Sequence, residues 1–401
     1  MNTRVESGSK EFIALMAILM SVVSISIDAM LPALGTIGRE LHTDHPNQAQ
    51  YIISSIFIGM ALGQLVCGPL SDALGRKKIL YGGLILYFAG SIICLLSENI
   101  NTMLAGRFIQ GLGVSGPYIS CMSIIRDKFS GRPMAKVMSL VMMIFIMAPV
   151  VAPALGQGII LLLSWQYIFV LYIVYALGVM LWIYLRLDET LPVSQRIPFR
   201  ISTLISGTKT VISNRQCMTY TICMGCMFGA LIGDLNSAQQ IFQIQFGVGE
   251  MFVVYFGLQA LAFGVSSHIN SKLVEKLGMR HICGRALSIM AISSIVFFGV
   301  HFFFPIQFWM FFIYGVVVLF CVGLLFGNLN ALAMEPMGHI AGIASAIIGA
   351  ISNAIAIPLG TIIGQMYDGT LMPMVSGFSI LSFSALLIML FGDRKLEGHI
   401  P

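Results

Sequence analysis

Three charged side chains lie inside otherwise apolar stretches of this 401-residue chain, and their types could bind or release protons. They are Asp28, Arg107 and Asp234. A charged residue in a membrane-spanning helix costs about 2.5–3.5 kcal/mol on insertion, so it normally faces a cavity or an ionic partner. Counted from the predicted helix ends, all three residues lie at similar depth in the outer half of a membrane. They are therefore candidates for an ionic or proton-binding site.

Asp28 is the predicted proton-binding carboxylate, because a desolvated acid that gains or loses a nearby cation can release or take up a proton. Arg107 is the predicted cation. Movement of Arg107 towards or away from Asp28 would switch the acid between releasing and binding a proton. A permanent Asp28–Arg107 salt bridge with a purely structural role is the alternative that the sequence leaves open.

Several uncharged polar residues lie in or beside the apolar stretches and could line a substrate cavity together with Asp234. They are Gln110, Tyr118, Asn236, Asn328 and Asn353. Asp234 lies late in its predicted helix, where an acid near water could also have no function.

The sequence lacks the common motifs of membrane-bound enzymes and of ATP-driven pumps. No H-E-x-x-H, G-x-S-x-G or phosphate-binding G-x-x-x-x-G-K run occurs. Cys223-x-x-Cys226 has the spacing of a redox or zinc pair, but it lies in an apolar stretch where thiols pack as small hydrophobes. We expect a protein that is not an enzyme and that holds no cofactor or metal. A channel is disfavoured because no filter-like segment interrupts the apolar stretches.

Twelve apolar stretches must position these residues, and together they predict an all-α membrane protein. The chain is 57% hydrophobic and 10% charged, with a mean hydropathy of +0.91, whereas a soluble domain carries about 25% charged residues. A helix of about 20 residues spans a hydrocarbon core of about 30 Å. The predicted spans are residues 12–34, 48–70, 79–97, 102–125, 134–160, 165–187, 216–240, 251–269, 281–304, 307–334, 341–365 and 372–392.

Lys and Arg residues fall almost entirely on one side of this predicted topology. Twenty lie in one set of loops and in the termini, whereas Arg39 alone lies in the opposite set. Because positive loops stay in the cytoplasm, both termini are predicted to be cytoplasmic. This topology explains the net charge of +5 better than nucleic-acid binding does. The first stretch is too long for a signal peptide and is predicted to be a retained helix.

A polar segment at residues 188–212 divides the twelve spans into two groups of six. The predicted domains are therefore a bundle at 1–187, a cytoplasmic linker at 188–212 and a second bundle at 213–401. A shift of 203 residues aligns some loop residues of the two halves, which favours a duplicated six-helix unit. The aligned pairs are Asp72 with Glu275, Gly75 with Gly278 and Lys77 with Arg280.

The short loop at residues 68–80 joins the second and third spans and combines glycine, acidic and basic residues. Gly75 permits a turn with positive φ, and Asp72 could pair with a basic helix end or cap a first helical turn. Such a loop can serve as a gating latch, although a simple basic turn is the alternative. The candidate latch residues are Gly68, Asp72, Gly75, Arg76 and Lys77, with Glu275, Gly278 and Arg280 as their mates. In the second half of the chain, Met279 stands where the first half has Arg76. The latch is therefore predicted to be stronger in the first half.

The fifth span contains Pro149, Pro153 and Gly156. Proline removes a hydrogen-bond donor and glycine removes side-chain bulk, so this helix could bend and let another helix approach closely. These properties suit a helix that moves during gating, and a static kink is the alternative.

Two of these stretches resemble signatures of the major facilitator superfamily. They are Gly68-x-Leu70-x-Asp72-x-x-Gly75-Arg76-Lys77 and Leu104-x-x-Arg107-x-x-Gln110-Gly111-x-Gly113. The first is similar to the signature between the superfamily's second and third helices, and the second to its fourth helix in proton-coupled exporters. The resemblance implies two pseudo-symmetric six-helix bundles, and it implies Arg126 and Asp127 as ion-pair neighbours of the loop.

A narrower resemblance is to the Bcr/CflA group of drug/proton antiporters, and it extends over residues 12–392. Five stretches carry it: Asp28-x-x-Leu31-Pro32-Ala33-Leu34, Ala148-Pro149-x-x-Ala152-Pro153-x-x-Gly156, Leu187-Asp188-Glu189-Thr190-Leu191, Ala333-Met334-Glu335-Pro336 and Ala341-Gly342-x-Ala344-Ser345-Ala346. The fifth-helix stretch departs from the wider superfamily's exporters, which favour Gly at the positions of Ala148 and Ala152.

The resemblance implies a monomeric transporter of the bacterial cytoplasmic membrane that works by alternating access. Proton entry would drive the export of drugs or other small organic compounds. A dedicated metabolite, siderophore or amino-acid derivative, moved in either direction, is the alternative cargo. The expected partners are protons, the substrate and the lipid bilayer, without nucleic acid.

Overall fold

The computed structural model describes residues 10–197 and 201–397, and their regular structure is entirely helical. Twelve helical segments are long and apolar enough to cross a membrane, which confirms the predicted number. The α-helices are α1 (Lys10–Asp28), α2 (Leu34–Glu40), α3 (Tyr51–Leu74), α4 (Arg76–Leu95), α5 (Ile100–Lys128), α6 (Gly131–Leu162), α7 (Gln166–Arg186), α8 (Ile201–Ser213), α9 (Arg215–Gln239), α10 (Phe252–Leu277), α11 (Met279–Phe303), α12 (Phe308–Met334), α13 (Ala341–Gln365) and α14 (Met372–Glu397).

The first span is longer than predicted and is interrupted. It runs from Lys10 to Glu40 and consists of α1, a 3-10 turn at Leu31–Ala33 and α2. Pro32 explains the interruption, because it has no N–H to donate to the carbonyl of Asp28 four residues earlier. Asp28 is therefore the last residue of α1 and lies nearer the middle of its span than the prediction placed it.

The chain forms two compact units, Met1–Arg200 and Ile201–Pro401. In the first unit α3 and α4 pack on α5, α6 packs on α1, and α7 packs on α4. In the second unit α10 and α11 pack on α12, α13 packs on α9, and α14 packs on α11. The two units thus repeat one packing scheme.

The repeat extends to the backbone of the turns at Gly75 and Gly278. Gly75 has a φ of 105° and a ψ of 154°, and Gly278 has a φ of 75° and a ψ of 152°. Each glycine N–H donates to a carbonyl four residues earlier, at 3.1 Å to Ser71 and 3.0 Å to Val274. Positive φ strains any residue with a Cβ, so glycine is required at both turns.

The predicted linker is not an open loop along its whole length. The units divide between residues 200 and 201, and residues 201–213 form α8, which packs on α13 and α9. The two prolines of the linker, Pro192 and Pro198, lie before α8, so nothing in its sequence prevents a helix. Residues 1–9 of the first predicted bundle, 198–200 of the linker and 398–401 of the second bundle lie outside the described residues.

The core of the first unit is a continuous apolar cluster shared by five helices. It includes Phe12 of α1, Leu80 of α4, Ile124 of α5, Val141 of α6 and Ile183 of α7. Other faces of the helices expose large apolar side chains, including Leu162 and Val174 in the first unit and Ile313 in the second. Such surfaces are costly in water but suit lipid.

Candidate functional site

Arg107 is fully buried in α5, and its guanidinium bonds to three oxygen atoms of the first unit. Nε donates to the carbonyl of Ile52 at 3.3 Å, Nη1 to Oε1 of Gln110 at 2.9 Å, and Nη2 to the carbonyl of Ser26 at 2.9 Å. A buried charge is tolerated only when its polar atoms are satisfied, and backbone oxygens satisfy two of the three contacts here.

Glycine contacts hold α5 close enough to its neighbours for Arg107 to reach these oxygens. A Cβ on Gly111 would overlap the carbonyl oxygen of Ile56 in α3, and a Cβ on Gly106 would crowd Cys94 in α4. Both glycines lie within about one turn of Arg107. The close approach to α3 brings the carbonyl of Ile52 within reach of the Arg107 side chain.

A chain of hydrogen bonds extends from Arg107 through α4 and α7. Gln110 Nε2 donates to Ser91 Oγ at 2.7 Å, and Ser26 Oγ donates to the Tyr87 hydroxyl at 2.8 Å. The Tyr172 hydroxyl donates to the carbonyls of Ile25 at 3.1 Å and of Ser26 at 3.3 Å. The carbonyl of Ser26 thus accepts from both Arg107 and Tyr172, two residues before Asp28.

Asp28 is buried, with 4% of its surface exposed. Within the described parts of the chain, its carboxylate forms no salt bridge. The alternative of a permanent Asp28–Arg107 salt bridge is therefore wrong for this structure. Arg107 instead bonds to the backbone beside Asp28, because the carbonyl of Ser26 lies within its reach.

Helix α6 touches the backbone at the point where α1 ends. A Cβ on Gly156 would overlap the carbonyl oxygen of Ala29, the residue that follows Asp28. Pro149 and Pro153 precede this contact on the same continuous helix. Gly156 therefore brings α6 against the interruption in the first span.

In the second unit, Asp234 is buried in α9 and 8% exposed. Among the described residues it forms no salt bridge. Two residues further along α9, Asn236 Nδ2 donates to the carbonyl of Gly360 at 3.3 Å.

The two units share a serine-centred contact between corresponding helices. Ser91 of α4 bonds to Gln110 of α5, and Ser294 of α11 bonds to the Tyr314 hydroxyl of α12 at 2.8 Å. Ser91 and Ser294 are 203 residues apart, which is the shift of the loop repeat. The second unit has no charged residue matching Arg107 at this position of α12.

The remaining predicted cavity residues have different surroundings. Asn328 is buried, and its Nδ2 donates to Asn270 Oδ1 at 2.7 Å, an amide contact between α12 and α10. Tyr118 packs against the apolar core of the first unit, and Asn353 is half-buried in α13. Asn328 thus joins α12 to α10 and Tyr118 packs on the core, and a cavity role for these residues stays a prediction.

Arg76 is the centre of the loop between α3 and α4. Its Nε donates to Asp127 Oδ2 at 2.9 Å and its Nη2 to Asp127 Oδ1 at 3.2 Å, a bidentate pair with the end of α5. Its Nη1 donates to Ser71 Oγ at 3.2 Å and also pairs with Asp72. Bidentate arginine–carboxylate contacts add geometric specificity to charge attraction.

The segment after α7, residues 187–197, binds across this loop, and we call it the 187–197 strap. Glu189 Oε1 accepts from the backbone N–H of Arg76 at 3.0 Å, and Glu189 Oε2 accepts from that of Lys77 at 3.1 Å. Lys77 Nζ donates to the carbonyl of Leu187 at 2.6 Å. Ile197 N donates to the carbonyl of Asp72 at 3.1 Å.

Two expectations about this loop need correction. Asp72 does not cap the first turn of α4, because Glu189 occupies the free N–H groups there. Arg126 does not pair with the loop, since it donates to Ser123 of its own helix at 3.4 Å. Gly68 has open space around its Cα, so packing in this structure does not require glycine there.

The matching loop of the second unit is simpler. Glu275 is exposed and Arg280 is half-buried, and neither forms a salt bridge within the described residues. Gly278 keeps the turn geometry, and a Cβ there would meet no neighbouring atom. The two turns thus share a backbone but differ in their ionic contacts.

Sequence reasoning did not select Ser26, Tyr87, Ser91, Tyr172 or Glu189. The first four are common in membrane helices and carry no motif by themselves. Glu189 lies in a stretch that carried the family resemblance, but its contact with α4 joins residues more than 100 positions apart. The one local signal that was available was Pro32, which marks the end of α1.

Comparison with known proteins identifies relatives over nearly the whole chain. Residues 16–361 match the Major Facilitator Superfamily. The chain is 31% identical over 375 residues to the uncharacterized MFS-type transporter YdgK of Bacillus subtilis, covering 91% of this chain and 92% of that protein. It is 27% identical over 370 residues to the bicyclomycin resistance protein homolog of Haemophilus influenzae, covering 91% of each. The multidrug resistance protein MdtL of Escherichia coli is 36% identical over 170 residues, covering 42% of this chain and 43% of that protein.

Solved structures show the same fold at low sequence identity. The peptide transporter POT in complex with sulfate matches with a TM-score of 0.75 at 13% identity, covering 98% of this chain and 95% of that chain. The Escherichia coli xylose transporter XylE matches with a TM-score of 0.72 at 11% identity, covering 98% of this chain and 97% of that chain.

Proposed function

Because this chain belongs to the Major Facilitator Superfamily and is a multi-pass membrane transporter, we propose that it is a proton-coupled antiporter that exports small organic compounds, including drugs. It works by alternating access in the bacterial cytoplasmic membrane as a monomer, with both termini in the cytoplasm. The names of two relatives, a bicyclomycin resistance homolog and a multidrug resistance protein, support a drug-like cargo.

The observation that carries proton coupling is the state of Asp28. Its carboxyl is buried and has no cation within salt-bridge distance among the described residues, while Arg107 is held on the neighbouring carbonyl of Ser26. A carboxylate buried in this way is relieved either by a proton or by a cation that approaches it. A shift of Arg107 from the Ser26 carbonyl to Asp28 would replace the proton.

The geometry around Asp28 also supports a coupled movement. The first span is interrupted directly after Asp28, and Gly156 of α6 contacts Ala29 at the interruption. Discontinuous helices in transporters supply backbone groups to ion and substrate sites. Because α6 contacts the residue next to Asp28 directly, a displacement of α6 would change the surroundings of Asp28.

The Arg76 contacts and the 187–197 strap act as the cytoplasmic latch in this proposal. Asp127 and Glu189 both hold the turn between α3 and α4. The corresponding turn of the second unit lacks such ion pairs among the described residues, so the first unit holds the stronger part of the latch.

Transport by the purified protein in liposomes tests the proposal. A cationic dye or an antibiotic is supplied on the side from which export would occur, and a pH gradient is imposed in either direction. Saturable flux that follows the gradient and collapses with a protonophore is the expected result. Flux that does not respond to the gradient, or that fails to saturate, would overturn proton-coupled antiport.

A further inference from the structure

The interruption of the first span changes the hydrogen bonding of the Ser26 carbonyl, two residues before Asp28. In a continuous α-helix that carbonyl would accept from the N–H of Met30, four residues later. The Met30 N–H donates instead to the carbonyl of Ile27 at 3.3 Å, a bond of the tighter 3-10 type. Because Ser26 is fully buried, its carbonyl needs a donor from another helix.

Arg107 of α5 and Tyr172 of α7 both supply this donor. Arg107 Nη2 lies 2.9 Å from the Ser26 carbonyl oxygen, and the Tyr172 hydroxyl lies 3.3 Å from it and 3.1 Å from the carbonyl oxygen of Ile25. A carbonyl oxygen has two lone pairs, so it can accept from both donors at once. Both donor side chains are fully buried, and bulk water therefore does not replace either of them.

The ring of Tyr172 is fixed by contacts that do not involve Arg107. Its centroid lies 6.1 Å from that of Tyr87 and 5.7 Å from that of Phe169, and the second pair meets edge to face. Edge-to-face packing stabilises a pair of rings beyond the burial of their area. The Tyr172 hydroxyl is thus held beside the Ser26 carbonyl by the packing of its own ring.

Further donors on α7 hold the first span on both sides of its interruption. Trp165, at the start of α7, donates from Nε1 to Glu40 Oε2 at 2.6 Å, beyond the interruption. The Tyr175 hydroxyl donates to the carbonyl of Ile18 at 2.7 Å, before the interruption. Helix α14, the last span of the second unit, contains no Tyr or Trp. The aromatic donors therefore belong to the unit that carries Asp28, and they tie its first span to α7.

The charged and titratable groups around Asp28 and Arg107 are few. Helix α4 contributes Tyr87 and Cys94, and α7 contributes Tyr172. The sequence has no charged residue at positions 51–71 of α3 or 137–162 of α6. The exchange at Asp28 is therefore between a proton and Arg107.

We propose that Tyr172 is a positioning residue of the proton site, which sets how readily Arg107 moves from the Ser26 carbonyl to Asp28. When Arg107 leaves, the Tyr172 hydroxyl stays and keeps the carbonyl hydrogen-bonded. Without the hydroxyl the carbonyl would be left buried and unsatisfied, which is costly. Arg107 would then stay on Ser26, and Asp28 would keep its proton. This inference rests on the proposed function and adds to it a residue that touches neither the proton nor the cargo.

Infrared titration of the Asp28 carboxyl band in the purified protein tests this role without any cargo. The band is assigned by its absence from Asp28→Asn, and its midpoint is the pH at which half of the band is lost. In Tyr172→Phe the midpoint should rise by about one pH unit, a tenfold change in proton affinity that corresponds to one lost hydrogen bond. Tyr175→Phe is the matched control, since it removes a hydroxyl of the same helix from a carbonyl of the same span. It should keep the parental midpoint.

A ring-fluorinated tyrosine in place of Tyr172 provides a second variant of nearly parental size. Its hydroxyl is a stronger donor, so it satisfies the Ser26 carbonyl better and should lower the midpoint. Equal midpoints in the parental protein, Tyr172→Phe and the fluorinated variant would overturn the inference, as would equal shifts in Tyr172→Phe and Tyr175→Phe. Gradient-independent flux of the parental protein would instead overturn the proposed function. A parental protein whose Asp28 band does not titrate would overturn both.

Discussion

Arg107 donates a hydrogen bond from Nη2 to the carbonyl oxygen of Ser26 at 2.9 Å, two residues before Asp28. The cation thus reaches the backbone of the helix that carries the acid but does not pair with the acid. A carbonyl holds a guanidinium less strongly than a carboxylate does. Asp28 would therefore bind Arg107 more strongly than the Ser26 carbonyl does, and the proposed proton switch depends on this difference.

Arg107→Lys keeps the charge but loses the fork of donors that binds Ile52, Gln110 and Ser26 together. We expect a loss of about 1–3 kcal/mol in the free energy of unfolding, because buried acceptors lose their partners. Gradient-driven flux should also fall severely. Arg39→Lys is the control, since Arg39 is exposed and bonds only to Thr36 among the described residues. Equal stability and flux of the two variants would contradict the role of the fork.

Gly156→Ala should destabilise the first unit, because the new methyl group would overlap the carbonyl oxygen of Ala29. Overpacking of this kind costs about 1–3 kcal/mol. Gly158→Ala is a matched control on the same helix, since a Cβ at Gly158 meets no atom within 4 Å. Thermal unfolding in detergent should show a lower Tm for Gly156→Ala alone. A similar Tm for both variants would show that α6 does not need the close approach.

Glu189→Gln should loosen the 187–197 strap. Both carboxylate oxygens of Glu189 accept hydrogen bonds, one from the N–H of Arg76 and one from that of Lys77, whereas a glutamine amide has only one oxygen that can accept. Loss of a charged group at a helix N-terminus costs about 1 kcal/mol. Limited trypsin digestion should cleave the variant faster after Arg196, which lies in the strap. Glu275→Gln, an exposed acid in the matching loop of the second unit, is the control and should be cleaved after Arg196 at the parental rate. Unchanged cleavage of Glu189→Gln would show that the strap is held by other contacts.

Arg76→Lys should weaken the latch, because lysine cannot form the bidentate pair with Asp127. We expect faster modification by a membrane-impermeant thiol reagent of cysteines engineered into the ends of α3 and α5 that adjoin Arg76. Lys78→Gln, which alters an exposed charge on the same turn, should leave the modification rate unchanged. Equal rates in the two variants would count against Arg76 as the centre of the latch.

The sequence predicted most of the fold because long apolar stretches have few alternatives to membrane helices. The turns at Gly75 and Gly278 were also predictable, since each glycine lies at the matching position of a very short loop between two helices. The interruption after Asp28 was signalled by Pro32, although the apolar residues up to Ile37 concealed it. Helix α8 was missed because the prolines before it suggested a loop.

The partners of the site residues were harder to predict than the residues themselves. Asp28, Arg107 and Asp234 became candidates because charge in an apolar stretch is costly, and their roles stay predictions. Two of the three contacts of Arg107 are with backbone carbonyls, which every residue possesses and which no motif marks. Glu189 reaches the start of α4 only because the chain returns to it after α7, a tertiary contact that local patterns do not encode.

The central claim is that Asp28 couples proton movement to transport, and flux of the Asp28→Asn protein in liposomes tests it most directly. Under an imposed pH gradient its flux should fall to the level seen without a gradient, because an amide cannot bind and release a proton. Exchange of labelled for unlabelled substrate at equal pH should persist, which would show that the variant is folded and binds cargo. Asp44→Asn, an exposed acid, should behave like the parental protein. Undiminished gradient-driven flux in Asp28→Asn would contradict the account.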